Sequence, residues 1–139
     1  MRVIHTSDWH LGHELHGFDR SVEHDVFLNW LAHQLIELGA DALIVTGDIY
    51  DTVNPSIPAQ QLLYRFLRSV LAETPHLQIV LIGGNHDSAA RLELPKELLE
   101  ANRVHLIGGM PRHQGRPAPA RVLVELRDAT RAPRAVCAA

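Results

Sequence analysis

The chain has a single cysteine, Cys137, among 139 residues, so no internal disulfide can form and a reducing cytoplasm is the expected setting. It has no run of about 18 apolar residues, which argues against a membrane-spanning helix. The opening Met1-Arg2-Val3-Ile4-His5 leads straight into a strand-like segment without the layout of a signal peptide. An excess of basic charge is also missing. Thirteen Lys and Arg against sixteen Asp and Glu give a formal charge of −3, which argues against coating nucleic acid by bulk attraction. A site that holds divalent cations escapes that exclusion, because its local charge can be positive on an acidic chain. Internal repeats and low-complexity segments are absent as well.

What is present is ordinary globular material, 46% hydrophobic and 21% charged, enough for one modest domain with a real core. Strand-like and helix-like periods alternate along it. Val3 to Ser7 reads as a strand. From Ser21 to Leu38, Val26, Phe27, Trp30, Leu31, Leu35 and Leu38 recur at spacings of three and four, which predicts an amphipathic helix stopped by Gly39. Ala42 to Thr46 is a second strand. Leu62, Leu63, Phe66, Leu67, Val70 and Leu71 mark a second helix, entered near Ser56-Ile57-Pro58 and ending before Pro75. Leu77 to Ile82, a short helix near Pro95 to Ala101, and Val104 to Ile107 continue the alternation. Buried strands alternating with helices predict an α/β fold with a mainly parallel sheet. A turn-rich connector, Gly108 to Ala120, then leads to a half-buried strand at Arg121 to Leu126. Ala135 to Ala138 is expected to pair with it antiparallel through a turn near Asp128 to Pro133. The chain ends in an apolar run without a turn signal, which reads as a stop in the middle of a fold.

Three polar clusters stand directly after apolar runs: Asp8-Trp9-His10, Gly47-Asp48 and Gly84-Asn85-His86-Asp87. In open α/β sheets the carboxyl ends of the strands open onto a shared crevice, so these loops are expected to converge. Asp8 and His10, two apart in an extended segment, would point the same way and chelate one ion. Asp48 has two oxygens and can bridge two cations, as in two-metal hydrolases. Asn85 offers a neutral oxygen to the second ion. This mixed set suits Mn²⁺, Fe²⁺ or Zn²⁺, and its carboxylate and amide content leans toward Mn²⁺. His86 leaves the backbone in another direction and can donate a proton to a leaving oxygen or stabilise transition-state charge. Asp87 either orients that imidazole or caps the helix that follows, and Ser88-Ala89-Ala90 favours the cap. Gly47 and Gly84 leave room for close backbone approach.

Asp8-x-His10, Gly47-Asp48-Ile49-Tyr50-Asp51 and Gly84-Asn85-His86-Asp87 resemble the calcineurin-like metallophosphoesterases, whose fold is an αββα sandwich. Within them, His5 to Gly12, Arg20, Glu23-His24, Phe27-Leu28, Trp30-Leu31 and Asn85 to Ser88 are similar to the family of nuclease components of bacterial SbcCD complexes. The resemblance implies a Mn²⁺-dependent DNA nuclease acting on duplex ends, hairpins and single strands, with two Mn²⁺ (or Mg²⁺ or another divalent ion). It also implies a coiled-coil ATPase partner of the SbcC type and a homodimer. By the same pattern Asp8, His10 and Asp48 would hold one metal and Asp48 with Asn85 the other, while His86 acts in catalysis. Some relatives carry His where this chain has Asp51, which leaves Asp51 as a residue expected to support the ligands or meet substrate, not to act in catalysis. A later His and a Gly-His-x-His motif, needed by the family, do not occur within residues 1–139. The expectation is therefore a metallophosphoesterase domain short of its C-terminal part, its cap and its ATPase-docking segment, weakly active or inactive by itself.

Each neighbour of the clusters also has a plainer reading. Trp9 and Tyr50 either stack on a base or, as the favoured reading, pack beside the site. His5, inside a strand, is expected to be a satisfied core residue. His13 and His16 are packing or surface residues that can face substrate. Arg20, Arg91 and Arg112 are solvated arginines unless phosphates reach them. Leucines of the helices at Leu62 to Leu71 and Pro95 to Ala101 suit either a homodimer face or the core. Two rival functions stand beside the nuclease. One is another phosphoesterase, such as a phosphatase, although Tyr50-Asp51-Thr52-Val53 lacks the Arg that grips a phosphomonoester. The other is a non-enzymatic module that binds DNA or self-associates.

Overall fold

A computed structural model describes residues 1–114 and 116–139, without the side chains of His113 and Arg121. Gly115 of the expected connector lies outside the described residues. The element order is β1 (Val3–Thr6), β2 (Glu14–Leu15), β3 (Phe18–Asp19), α1 (Ser21–Glu37), β4 (Ala42–Thr46), α2 (Ile57–Glu73), β5 (Gln78–Ile82), α3 (Ala89–Leu92), α4 (Lys96–Glu100), β6 (Val104–Ile107), β7 (Arg112–His113), β8 (Arg116–Pro117), β9 (Leu123–Arg127) and β10 (Pro133–Ala138). Strands β1, β4, β5 and β6 form a parallel sheet in that order. The α/β alternation read from the sequence is thus present. Two short hairpins, β2–β3 and β7–β8, go beyond that reading, because two-residue strands carry too little periodicity to be seen.

The helices form because their ends and faces are specified locally. Ser56 Oγ accepts the Ala59 N–H and Pro58 sits in the first turn, which fixes the start of α2. At α1 the capping is done one residue early, by the Asp19 carboxylate accepting the Ser21 N–H at 2.7 Å. Gly39, at φ +59°, ends that helix in the left-handed region that glycine tolerates best. The buried face of α1 is Leu28, Leu31, Ala32 and Leu35, whereas Val26, Trp30 and Leu38 are exposed, so half of the expected stripe points outward. On α2, Leu62, Leu63, Phe66, Leu67 and Val70 are buried. Those leucines are core, which removes them as a dimer face; Leu94 and Leu98, around the start of α4, remain exposed.

The helical layer and the sheet enclose one core in which Leu35, Leu43, Val45, Val70, Ile79 and Leu81 are fully buried. Each such side chain contributes about 1.5–3 kcal/mol through its removal from water. The other face of the sheet is partly covered by the antiparallel β9–β10 pair, whose Val124 and Leu126 pack with Ala42, Val80 and Ile107. Helices, parallel sheet and a two-stranded second sheet make three layers of the expected sandwich. β1 is an edge strand among the described residues, and its Val3 and His5 are exposed. His5 is therefore not a core residue; its ring meets Thr46 Oγ1 at 2.8 Å on the open part of that face. Among the described residues no helix is long and apolar enough to cross a membrane.

Two buried polar side chains fasten the second layer. Gln78 donates to the Glu125 carbonyl at 3.1 Å and accepts the Arg127 N–H at 2.5 Å. Asp41 accepts the Ala129 N–H at 2.8 Å and the Arg2 N–H at 2.6 Å. Both residues are more than nine-tenths buried, so loss of a partner leaves groups that water cannot easily reach. Asp41→Ala should lower unfolding free energy by about 1–3 kcal/mol in urea titration. It should also speed proteolysis between Asp128 and Pro133; unchanged stability would mean that the hairpin is held by apolar packing alone.

Candidate metal centre

The three clusters meet at the carboxyl ends of the parallel strands because the loops are tied to each other through their backbones. Asp8 N–H donates to the Gly47 carbonyl (3.2 Å), His10 N–H to Asp48 (2.9 Å), Leu11 N–H to Ile49 (2.9 Å) and Gly47 N–H to Ile82 (2.8 Å). The first cluster is not extended as expected. Asp8 (φ +56°) and His10 (φ +46°) are both left-handed, and so is Asp48 (φ +45°). Three non-glycine residues in that region carry strain of order 1–3 kcal/mol each, a pattern that occurs at functional sites.

The reason for the turn at residues 8–10 is Trp9. It is 5% exposed and stands edge-on to Phe27 (centroids 6.0 Å) and Phe66 (5.5 Å). Burying that indole between α1 and α2 drives Asp8 and His10 outward on either side of it. Tyr50 is buried likewise, and burial pushes its phenol well above the usual range. Neither ring is available to stack on a base, which leaves packing as their role.

Asp8, His10 and Asp48 each bring one ligand atom to within 4.8 Å of the others, an arrangement that can hold a metal ion. His10, Asp51 and His86 form a second such group, so the His10 ring is common to both. His10 Nε2 is 3.9 Å from Asp48 Oδ2. Its Nδ1 is 3.3 Å from Asp51 Oδ1 in an orientation that makes no hydrogen bond, and that buried nitrogen has no other partner among the described residues. A buried Nδ1 left unsatisfied beside Asp51 fits a ring completed by a cation on its other nitrogen, Nε2, with Nδ1–H then turned to the carboxylate. Asn85 is exposed, and its amide makes no hydrogen bond among the described residues.

Asp51 is the residue whose importance the sequence understates. Its Oδ1 is 3.0 Å from His13 Nδ1, and its carbonyl accepts a hydrogen bond from His86 Nδ1 at 2.8 Å. The available signal is a second carboxylate three residues after Asp48, but the distance to His13 and His86 is a product of the fold. The bond to the Asp51 carbonyl, with the carboxylates of Asp48, Asp51 and Asp87 adding to it, raises the His86 pKa against its slight desolvation. It also fixes the proton on Nδ1 and leaves Nε2 facing out. The His86 ring stands edge-on to His10 with centroids 5.0 Å apart.

Asp87 does not cap α3. That helix begins after Ser88 without a side-chain cap, and the Asp87 carboxylate turns back to accept the N–H groups of Ile49 (3.0 Å), Tyr50 (3.0 Å) and Gly84 (2.9 Å). Asp48 Oδ1 answers by accepting the His86 N–H at 2.9 Å. The two loops are thus locked by one carboxylate from each. Gly84 lies in the gap, where a Cβ would overlap Asp48 Oδ1 and the Asp48 backbone nitrogen. The expected room for close approach at Gly84 is therefore an absolute requirement, not a convenience.

Comparison with known proteins agrees with this arrangement. Residues 1–123 match the model of the calcineurin-like phosphoesterases. The chain belongs to this family. It is 46% identical over 128 residues to the D component of the SbcCD nuclease of Rhodobacter capsulatus, covering 92% of this chain and 32% of that protein. It is 43% identical over 108 residues to the Bacillus subtilis protein of the same name, covering 78% of this chain and 27% of the relative. With the Escherichia coli counterpart the figures are 37% over 124 residues, 84% and 30%. The chain therefore spans about a third of the length of the relatives it matches. Membership in the phosphoesterase family and the donor sets at the strand ends agree on a divalent cation as the group this site is built for.

Asp87→Ala should strand three backbone N–H groups and cost about 1–3 kcal/mol of stability. Asp87→Asn keeps one oxygen for the Ile49 and Gly84 N–H groups that share Oδ2 and turns its NH₂ toward the Tyr50 N–H, and should cost less than Asp87→Ala but still lower stability. Equal urea midpoints for wild type and Asp87→Asn would show that the carboxylate is not what joins the loops.

Proposed function

We propose that the protein is a DNA nuclease that hydrolyses phosphodiester bonds as the nuclease component of an ATPase–nuclease complex in DNA repair, recombination and replication. Its activities would be 3′–5′ exonucleolytic on duplex ends and endonucleolytic on hairpins and single strands. The support is the similarity to SbcCD nucleases together with one geometric observation. That observation is the meeting of Asp8, His10 and Asp48 within ligand distance, with a buried His10 nitrogen lacking a partner among the described residues. The partner would be a coiled-coil ATPase of the SbcC type, and a second copy would pair through the exposed Leu94 and Leu98. A cytoplasmic setting goes with that role.

Two Mn²⁺ ions are the group we assign, with Mg²⁺ as the commoner substitute. Asp8, His10 and Asp48 would hold one, Asp48 and Asn85 would share in the other, and the remaining donors would come from outside residues 1–139. Bound there, such ions supply Lewis-acid polarisation of the phosphate and a nucleophilic water at neutral pH. The chain's own residues do the rest. Asp48 is held in place by the His86 N–H, so its free Oδ2 is aimed at His10 without searching rotamers. His86, with Nδ1–H committed to the Asp51 carbonyl, would in its imidazolium form present Nε2–H to a leaving oxygen. Asp51 and Asp87 act as braces; His13 borders the site through Asp51 and faces substrate if it has a further role.

A hairpin oligonucleotide and a phosphopeptide, offered to the full-length protein with Mn²⁺, test the reading. Hairpin cleavage is the expected result, and hydrolysis of the phosphopeptide alone would move the protein to the phosphatases. Asp48→Ala should abolish Mn²⁺ binding in calorimetry together with cleavage. His86→Ala should lower kcat about 10²–10⁴-fold with Mn²⁺ binding retained. Full activity in His86→Ala would sink its assignment as proton donor. The separate chain of residues 1–139 is expected to bind Mn²⁺ more weakly than the full-length protein; equal affinity and cleavage would show that it holds a whole site.

A further inference from the structure

A cavity of about 600 Å³ lies along β6, between it, α4 and the β9–β10 turn, and reaches the amino ends of β5 and β6 at Gln78 and Arg103. It is built from different residues than the metal centre, which opens at the carboxyl ends. Its charged lining is Lys96, Arg103, Arg127 and Arg131 against Glu100, Glu125 and Asp128, with His76 and His105 beside them. Most of these charges are already spent. Arg127 pairs with Glu125 and donates to the Arg131 carbonyl at 2.8 Å. Asp128 takes Arg134 at 2.6 Å and the loop donors of Thr130 and Ala132. Lys96 is 4.0 Å from Glu93. Among the described residues, the guanidinium groups of Arg103 and Arg131 are left without a side-chain partner, while the charge of Glu100 acts on His105.

Two further observations single out this cavity. Arg103 Nε and His105 Nε2 are buried polar atoms with no hydrogen-bond partner among the described residues. Arg103 Nε is a donor, and a buried donor without an acceptor costs about 1–3 kcal/mol, a penalty relieved if a ligand acceptor draws the guanidinium into the cavity. Moreover, Arg103 (φ +62°) and Arg131 (φ +67°) are both left-handed, on two separate turns that face the same space. Glycine or asparagine would fit either turn at lower cost. Arginine at both positions places two planar forks, each suited to a pair of phosphate oxygens, beside the exposed Leu123.

We propose that this cavity is a second, metal-independent binding site for a nucleotide. The phosphate would lie between Arg103 and Arg131, and the base would lie against Leu123. A volume of about 600 Å³ is in the range of small-molecule sites and exceeds what a bare phosphate needs. The phosphate could arrive on a free mononucleotide or within a strand, and the chemistry of recognition is the same.

The test uses the full-length protein in EDTA, so that the outcome is independent of the nuclease reading, with dAMP, 2′-deoxyadenosine and the oligonucleotide (dA)₆ as probes. Binding of dAMP is expected by calorimetry, with deoxyadenosine weaker by at least about tenfold. Arg103→Gln and Arg131→Gln should each weaken dAMP by at least about tenfold, while Asp48→Asn leaves it unchanged. Arg131 is exposed on a turn, so its variant keeps the test valid should Arg103→Gln unfold, which a thermal melt would show. Tighter binding of (dA)₆ that Arg131→Gln removes would identify a strand as the source, and equal binding would identify the free nucleotide. Absence of dAMP binding in EDTA, equal binding of deoxyadenosine, or binding that survives Arg131→Gln would overturn the proposal.

Discussion

The Asp87 carboxylate accepts three backbone N–H groups from two loops, and the geometry of the metal centre depends on it. Loops after parallel strands start about 4.8 Å apart and diverge unless something draws them back. Here one carboxylate draws them back by taking donors that the ends of β4 and β5 leave unpaired. Asp48 then returns the contact by accepting the His86 N–H. The exchange leaves no space for a side chain at Gly84, and it fixes the Asp48 oxygens before any ion arrives. Preorganisation of this kind has a cost, visible as left-handed backbone at Asp8, His10 and Asp48, which the aromatic packing of Trp9 and the cross-loop hydrogen bonds offset.

The same device, a buried polar side chain satisfied by backbone from another layer, recurs at the opposite end of the sheet. Asp41 and Gln78 hold the β9–β10 hairpin on the face that the helices do not cover. Apolar contact among Val80, Ile107, Val124 and Leu126 supplies area there but no register, since a strand can slide over a smooth apolar surface. Two hydrogen-bonded residues define where the hairpin sits. Its position in turn makes the wall of the cavity along β6. Specific polar contacts thus place both the candidate metal centre and the wall of this cavity, and the hydrophobic core supplies the stability against which they are placed.

How much of this is legible in the sequence follows from range. The order of strands and helices, the caps at Ser56 and Gly39, and the convergence of Asp8, His10 and Asp48 can be read because each rests on spacing or on position after a strand. Asp87 misleads because its local context, Asp followed by Ser88-Ala89-Ala90, is that of a helix start, while two of its actual partners lie 37 and 38 residues away. His5 misleads because the middle of a strand is not always the middle of a sheet; β1 stands at the edge. The outward half of α1 escapes because a period of 3.6 gives the width of an apolar stripe but not which part of it meets the sheet. A supporting role for Asp51 can be read from its place beside Asp48, but its contacts with His13 and His86 cannot be seen without the loop that brings them together.

The shared position of His10 carries the last step. It belongs to both donor groups, Asp8–His10–Asp48 and His10–Asp51–His86, and one imidazole cannot serve two cations through a single nitrogen. Its two ring nitrogens divide the work by direction: Nε2 faces Asp48, and Nδ1 faces Asp51 without a hydrogen bond. If Nε2 binds the cation, Nδ1 carries the proton, and a small rotation of the ring makes Asp51 its acceptor. That is the usual outer support of a metal-bound histidine. Asp51 would then hold three histidines in one arrangement: His10 and His13 through its carboxylate, and His86 through its carbonyl. A residue that the chain places between His10 and His86 in this way couples the orientations of the two rings, so that a cation held at His10 would also set the aim of His86 Nε2.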